Sequence, residues 1–161
     1  MLGATGMQIT AATRYGLRAL FDIAYHGAER PVRIREISKR QKISPRYLEQ
    51  ILHKLLISGL VAGKRGPQGG YVLATDPAHI SVADVIDAVQ EPVVALDCLN
   101  HEEECGSSCD LFDSCVARLV WQETRIRLQN YFNSVTLADL CDLAQEHGIK
   151  RETSYSYTYY I

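Results

Sequence analysis

Ser44-Pro45-Arg46-Tyr47-Leu48-Glu49-Gln50-Ile51-Leu52-His53-Lys54-Leu55-Leu56-Ile57-Ser58-Gly59 is followed, after a short apolar run, by Lys64-Arg65-Gly66-Pro67-Gln68-Gly69-Gly70-Tyr71. Serine before proline reads as an N-cap with proline at the first helical position. Leu48, Ile51, Leu52 and Leu55 then recur at helical spacing, and Gly59 is a suitable stop. The opposite face carries Arg46, Tyr47, Gln50 and Lys54, with Glu49 and His53 beside them. Two short strands, Leu60–Gly63 and Tyr71–Ala74, are expected on either side of a glycine-rich basic loop. A helix with one apolar and one base-reading face, followed by a basic hairpin, is the core of a winged helix-turn-helix.

Working upstream, Leu17, Leu20, Phe21 and Ala24 predict a helix from Thr10 to a stop near Gly27. Ile34 and Ile37 predict a short second helix over Arg33–Gln41. Met1 to Gly6 is featureless, and Met7 suits a natural start. Downstream, Ser81 with Asp84 approximates a capping box. The helix it opens buries Val82, Val85, Ile86 and Val89 and ends at Pro92. A long helix is expected over Phe112–Asn133. Ala117, Trp121, Thr124, Leu128, Tyr131 and Val135 form one heptad-like row; Leu119 and Ile126 lie on a second. One row suits the chain's own body and the other a partner chain, so a homodimer is expected. Thr136 and Asp139 cap a last helix in which Cys141 is a packing residue. The alternating tyrosines of 153–161 suit a pairing strand or a frayed end, and no role follows from them. The fold class is mainly α. Residues 7–92 form the winged helix-turn-helix, 93–116 a cysteine-rich loop, 117–148 the dimerisation and C-terminal helices, and 149–161 a tail.

Charge divides the chain. Residues 1–75 hold twelve Lys/Arg against four acids; residues 76–161 hold five against fifteen. The basic half suits double-stranded DNA. Arg46 can grip guanine through two acceptors, Gln50 can pair with adenine, and Glu49 can accept from cytosine. These three and Tyr47 lie at the end of the helix that enters the major groove, where contacts concentrate. Arg65, framed by glycine and proline, suits a narrow minor groove; Lys54 and Lys64 add positive charge.

Four of the five cysteines, Cys98, Cys105, Cys109 and Cys115, fall within eighteen polar residues. Core packing does not explain them; zinc or an iron–sulfur centre does. His101 is a further donor, though a solvated loop histidine is its plainer reading. No apolar run reaches the roughly 18–20 residues of a membrane span, and no signal segment opens the chain. The cytoplasm, where clustered thiols point to metal or redox chemistry, is the expected compartment. No phosphate-cradling loop, hydrolase motif or nucleophile–base pair suggests an enzyme.

Met7-Gln-Ile-Thr10, Arg14-Tyr15, Glu36-Ile37-Ser38, Tyr47-Leu48-Glu49-Gln50, Gly59-Leu60-Val61 and Arg65-Gly66-Pro67 with Gly69-Gly70-Tyr71 resemble the family of the bacterial iron–sulfur regulator IscR. The cysteine loop and Leu119-Val120-Trp121 share the likeness, which spans about Met7 to Gly148. The resemblance implies a dimeric winged-helix transcription regulator, a repressor by expectation. It also implies an iron–sulfur cluster on three cysteines per chain that controls operator binding. Two irons are favoured over four. Tyr47, Glu49, Gln50 and Arg65 match the family's DNA-contacting positions, and Arg46 replaces a smaller polar residue. Arg118 stands where the family has a histidine ligand, and Arg14 where some relatives borrow an acid from the partner chain. Arginine stays protonated and cannot ligate, so the fourth ligand is open. Cys105 and Cys109 both qualify as the middle ligand, and binding by all four thiols is the other arrangement. Structural zinc, a metal-free thiol switch and a winged protein-interaction module without DNA binding are the competing readings.

Overall fold

The computed structural model describes residues 9–27, 30–89, 99 and 114–152. Helix α1 (Ala11–His26) opens at Thr10, whose side-chain oxygen accepts from the Thr13 amide at 3.1 Å. Helices α2 (Ile34–Gln41) and α3 (Pro45–Ile57) form the helix-turn-helix. Strands β1 (Val61–Lys64) and β2 (Gly70–Leu73) form an antiparallel hairpin. A 3-10 turn at Pro77–His79 leads to α4 (Val82–Val89). Helices α5 (Val116–Ser134) and α6 (Leu137–Glu146) complete the described chain.

The core gathers one face from each of α1, α2, α3, β1 and α4. Leu20, Ile37, Leu48, Leu52, Leu55 and Val85 are fully buried, with Ile23, Ile51, Val61 and Ile80 beside them. Burying each of these large side chains contributes roughly 1.5–3 kcal/mol. Leu48, Ile51, Leu52 and Leu55 face inward as their spacing requires. Ile86 is only half-buried, and Leu17, Phe21 and Ala24 flank the core rather than fill it.

Both strands sit one residue away from their expected bounds. Leu60 is held by its amide bond to Leu55 O at 3.0 Å, and Gly59 turns the chain at φ 76°, so pairing starts at Val61. At the other side, pairing reaches Gly70 because Tyr71 also exchanges two backbone bonds with Val32, at 2.8 and 2.9 Å. A Cβ on Gly70 would come within 2.5 Å of Val32 O, so only glycine permits that approach.

The Ser81–Asp84 and Thr136–Asp139 boxes both form, with 2.7 Å bonds from the Ser81 and Thr136 amides to the aspartates. Those Thr136 bonds hold the Asp139 carboxyl below its usual range. An isolated Ser81–Thr136 bridge ties the start of α4 to the α5–α6 turn. Cys141 is buried on α6 beside Tyr25 and Ala144, as a packing residue, and burial pushes its thiol up.

Helix α5 departs from expectation. Its described side chains are all half-buried or exposed. The half-buried apolar residues are Leu128, Phe132 and Val135, and Phe132 lines a cleft with Val82 and Ile86. Trp121 and Tyr131, assigned by heptad spacing to the same row as Leu128, are 48% and 62% exposed. Among the described residues the apolar contact of α5 with α4 includes Phe132, near its C-terminal end. The expected start at Phe112 and the α4 stop at Pro92 lie outside the described residues.

Residues 149–152 cross the C-terminal end of α1. Tyr25 Oη donates to Ile149 O at 2.6 Å, and the Glu152 amide donates to His26 Nδ1 at 2.9 Å. The Glu152 carboxylate stands 3.6 Å from Arg40 Nη1. Arg40 in turn grips the fully buried Asp22 through Nη2 at 2.6 Å and Nε at 3.0 Å, and Gln41 Nε2 adds a bond at 3.0 Å. Patterns of apolar spacing do not reveal a buried carboxylate, and Asp22 escapes the sequence reading for that reason.

Candidate DNA-recognition surface and cysteine site

Ser44 caps α3 through its hydroxyl oxygen, which accepts from the Tyr47 amide at 3.4 Å. The three buried leucines and Ile51 on its inner face turn Arg46, Glu49 and Gln50 outward, where all three are exposed. Tyr47 is half-buried. Its ring meets Tyr15 of α1 edge-on, with centroids 5.6 Å apart, while the guanidinium groups of Arg14 and Arg18 lie 5.4 and 5.5 Å from the Tyr15 ring. Tyr15 therefore sets the position of Tyr47, a role that sequence spacing within α3 does not disclose.

Lys54 lies at the far end of α3. Its ammonium donates at 2.9 Å to the carbonyl of Val89, the last described residue of α4, where a cation interacts favourably with the helix dipole. It links the recognition helix to the point where the chain enters the cysteine segment.

Lys64 and Arg65 are exposed on the wing. The wing is fixed to the helix-turn-helix in two ways. The Val32–Tyr71 bridge holds its base, and Arg33 Nη2 donates to Pro67 O at 2.5 Å near its tip. Arg33 is held next to Glu36, whose Oε2 accepts the Arg33 amide at 3.1 Å while both Glu36 oxygens accept from Arg30 at 3.1 Å. A groove of about 670 Å³ separates Leu56 of α3 from Lys64, Arg65 and Tyr71 of the wing. The positioning contacts of Arg33 and Tyr15 run between elements, and spacing within one helix does not show them.

Of the four clustered cysteines, Cys115 is described. It is the N-cap residue of α5, half-buried, with no capping bond from its side chain. Its sulfur is thus available as a ligand at the mouth of the helix. Arg118, in the first turn, is half-buried and offers no lone pair. Leu99, the residue after Cys98, is buried, and its carbonyl accepts from Arg125 Nη1 of α5 at 2.5 Å. Cys98, Cys105, Cys109 and His101 lie outside the described residues. Among the described residues no three His, Cys, Asp or Glu side chains gather as a metal site, and no helix is long and apolar enough to cross a membrane.

The model of the Rrf2 family, described as iron-dependent transcriptional regulators, matches residues 9–143. The regulator IscR of Serratia proteamaculans is 41% identical over 134 residues, covering 83% of this chain and 79% of that protein. IscR of Yersinia enterocolitica is 40% identical over the same length and shares. Among solved structures, T. potens IscR superposes with a TM-score of 0.71 at 34% identity, covering 98% of this chain and all of the other. CymR, the global cysteine regulator of B. subtilis, gives 0.68 at 30% identity over 84% of this chain and 97% of its own. With its helix-turn-helix and β-hairpin wing and this extent of likeness, the chain belongs to the Rrf2 family of transcriptional regulators, DNA-binding proteins rather than enzymes.

Proposed function

We propose that the chain is a homodimeric repressor whose hold on its operator is set by an iron–sulfur cluster. The cluster would be held by Cys98, Cys115 and either Cys105 or Cys109, with two irons favoured. The observation that carries this reading is Cys115, a half-buried free thiol at the N-cap position of α5, the helix whose Arg125 also bonds to the carbonyl of Leu99, next to Cys98 in sequence. The soft thiolate donor set fits iron and sulfide, and the IscR relatives named above support it. When bound, such a cluster supplies oxidation- and supply-sensitive ligation.

The protein's own residues connect that site to DNA. Val89 ends the described part of α4, the cysteine segment follows it, and Lys54 of the recognition helix bonds to the Val89 carbonyl. A change in how the thiols are held is therefore passed to α3. Coupling of roughly 1–3 kcal/mol suffices for a 5–150-fold change in affinity. Arg46, Glu49 and Gln50 read base edges, and Lys64 and Arg65 hold the flanking groove and backbone.

Dimerisation is supported by α5. Val116, Leu119, Val120, Trp121, Ile126 and Tyr131 are 44–75% exposed along one helix. So many large apolar side chains left in water on one helix mark an interface. The apolar cleft of about 350 Å³ between Ile9, Leu17, Val82, Ile86 and Phe132 offers a complementary surface. Two recognition helices would then meet successive half-sites.

Purified without air, the full chain should be coloured and contain iron and sulfide. Cys115→Ala should lose colour and iron yet remain a folded dimer, and its operator affinity should no longer respond to oxidant. A colourless protein with stoichiometric zinc and unchanged DNA binding would overturn the cluster reading and favour structural zinc.

A further inference from the structure

Lys42 is the one described non-glycine residue with positive φ, at φ 55° and ψ 43°. It sits in the turn between α2 and α3, two residues before the cap of the recognition helix. A side chain with a Cβ is disfavoured in this left-handed conformation, and glycine is the usual occupant of such a helix end. A lysine in that conformation points to a reason outside the fold.

The fold does not need the side chain. The turn is fixed by others: the Lys42 and Ile43 amides both donate to Ser38 O, and Ser38 Oγ donates to Ile43 O at 2.7 Å. Ile43 is buried as an anchor. From the α1 side, Arg18 Nε donates to Gln41 Oε1 at 3.1 Å, and a second Arg18 bond reaches Gln41 O. Interaction with the α2 dipole does not explain the lysine either, because Lys39 and Arg40 already place cations in that last turn. Lys42 itself is exposed.

We propose that Lys42 is a further DNA contact, placing its ammonium on a backbone phosphate flanking the bases read by Arg46, Glu49 and Gln50. The inference rests on the DNA-binding reading above. A phosphate contact is independent of sequence, so it positions the helix rather than specifying bases.

The test uses full-length protein in one cluster state, a random-sequence 30-base-pair duplex and the tightest duplex selected from such a pool. Lys42→Gly should melt at the same or a higher temperature than the native protein, since the left-handed strain is relieved. It should nevertheless bind both duplexes about fivefold more weakly at about 0.15 M salt, with the log–log salt slope reduced by about 0.9, the value for one phosphate. Lys42→Arg should restore affinity. Equal affinity and slope for Lys42→Gly and native protein would overturn the role of Lys42 alone. No salt-dependent binding by the native protein would instead overturn the DNA-binding reading on which it rests.

Discussion

Replacing Asp22 by alanine removes a carboxylate that is fully buried and accepts from Arg40 Nε, Arg40 Nη2 and Gln41 Nε2. The Arg40 side chain is only 8% exposed, so its charge cannot turn to water. Breaking a buried ion pair from one side costs roughly 3–5 kcal/mol. Glu152, 3.6 Å from Arg40 Nη1 and 53% exposed, offers partial compensation, which places the expected loss near the lower end, about 3 kcal/mol. For a chain of this size that corresponds to a fall in Tm of roughly 6–12 °C. Calorimetry and urea denaturation both read it. The double variant Asp22→Leu with Arg40→Met removes both charges, and should be more stable than Asp22→Ala because no unpaired charge is left behind. A loss below about 1 kcal/mol for Asp22→Ala, the value of a surface pair, would refute the account of this pair as a buried tie between α1 and α2.

Burial, and then the neighbouring Arg40 charge, hold the His26 imidazole below its ordinary value of 6.5. The unfolded chain therefore takes up this proton first on acidification. The His26 contribution is complete above pH 6.5 and is lost as pH falls through the lower folded value. His26→Gln should flatten the change in urea midpoint between about pH 7.5 and about pH 5.5. In cluster-free protein, iodoacetamide with mass spectrometry should label half-buried Cys115 well before Cys141, whose thiol is buried and pushed up; equal rates would contradict the packing of α6. Arg65→Ala should weaken operator binding by about 1–3 kcal/mol at matched salt in a band-shift assay if the wing arginine enters a groove. Unchanged affinity would remove Arg65 from the interface.

Much of the candidate site was legible because it is local. Ser44-Pro45 fixes a helix start, the Leu48–Leu55 spacing fixes its inner face, and the outward placement of Arg46, Glu49 and Gln50 follows. What lay beyond the residues of α3 was less legible. Lys54 reads as one more cation on the outer face, yet it bonds to the end of α4. Nothing local marks the positioning roles of Tyr15 and Arg33, because those roles depend on Tyr47 and Pro67 reaching them from other elements. The heptad count on α5 placed Trp121 with Leu128. Which side of a helix is covered is decided by where its neighbours lie, and Phe132 of α5 shares a cleft with Val82 and Ile86 of α4 while Trp121 is exposed.

Helix identity, the caps at Thr10, Ser44, Ser81 and Thr136, and the order helix–helix–helix–hairpin were determined by the sequence alone. Each depends on torsional preference and on hydrogen bonds spanning only a few residues, which the nearby side chains set by themselves. The Asp22–Arg40 tie, the Val32–Tyr71 bridge that aims the wing, and the strap that joins Tyr25 to Ile149 across 124 positions were decided by the tertiary structure. Such contacts form only after the apolar faces have packed and brought distant backbone together. Until then their polar groups are satisfied by water, and nothing in the neighbouring sequence distinguishes them.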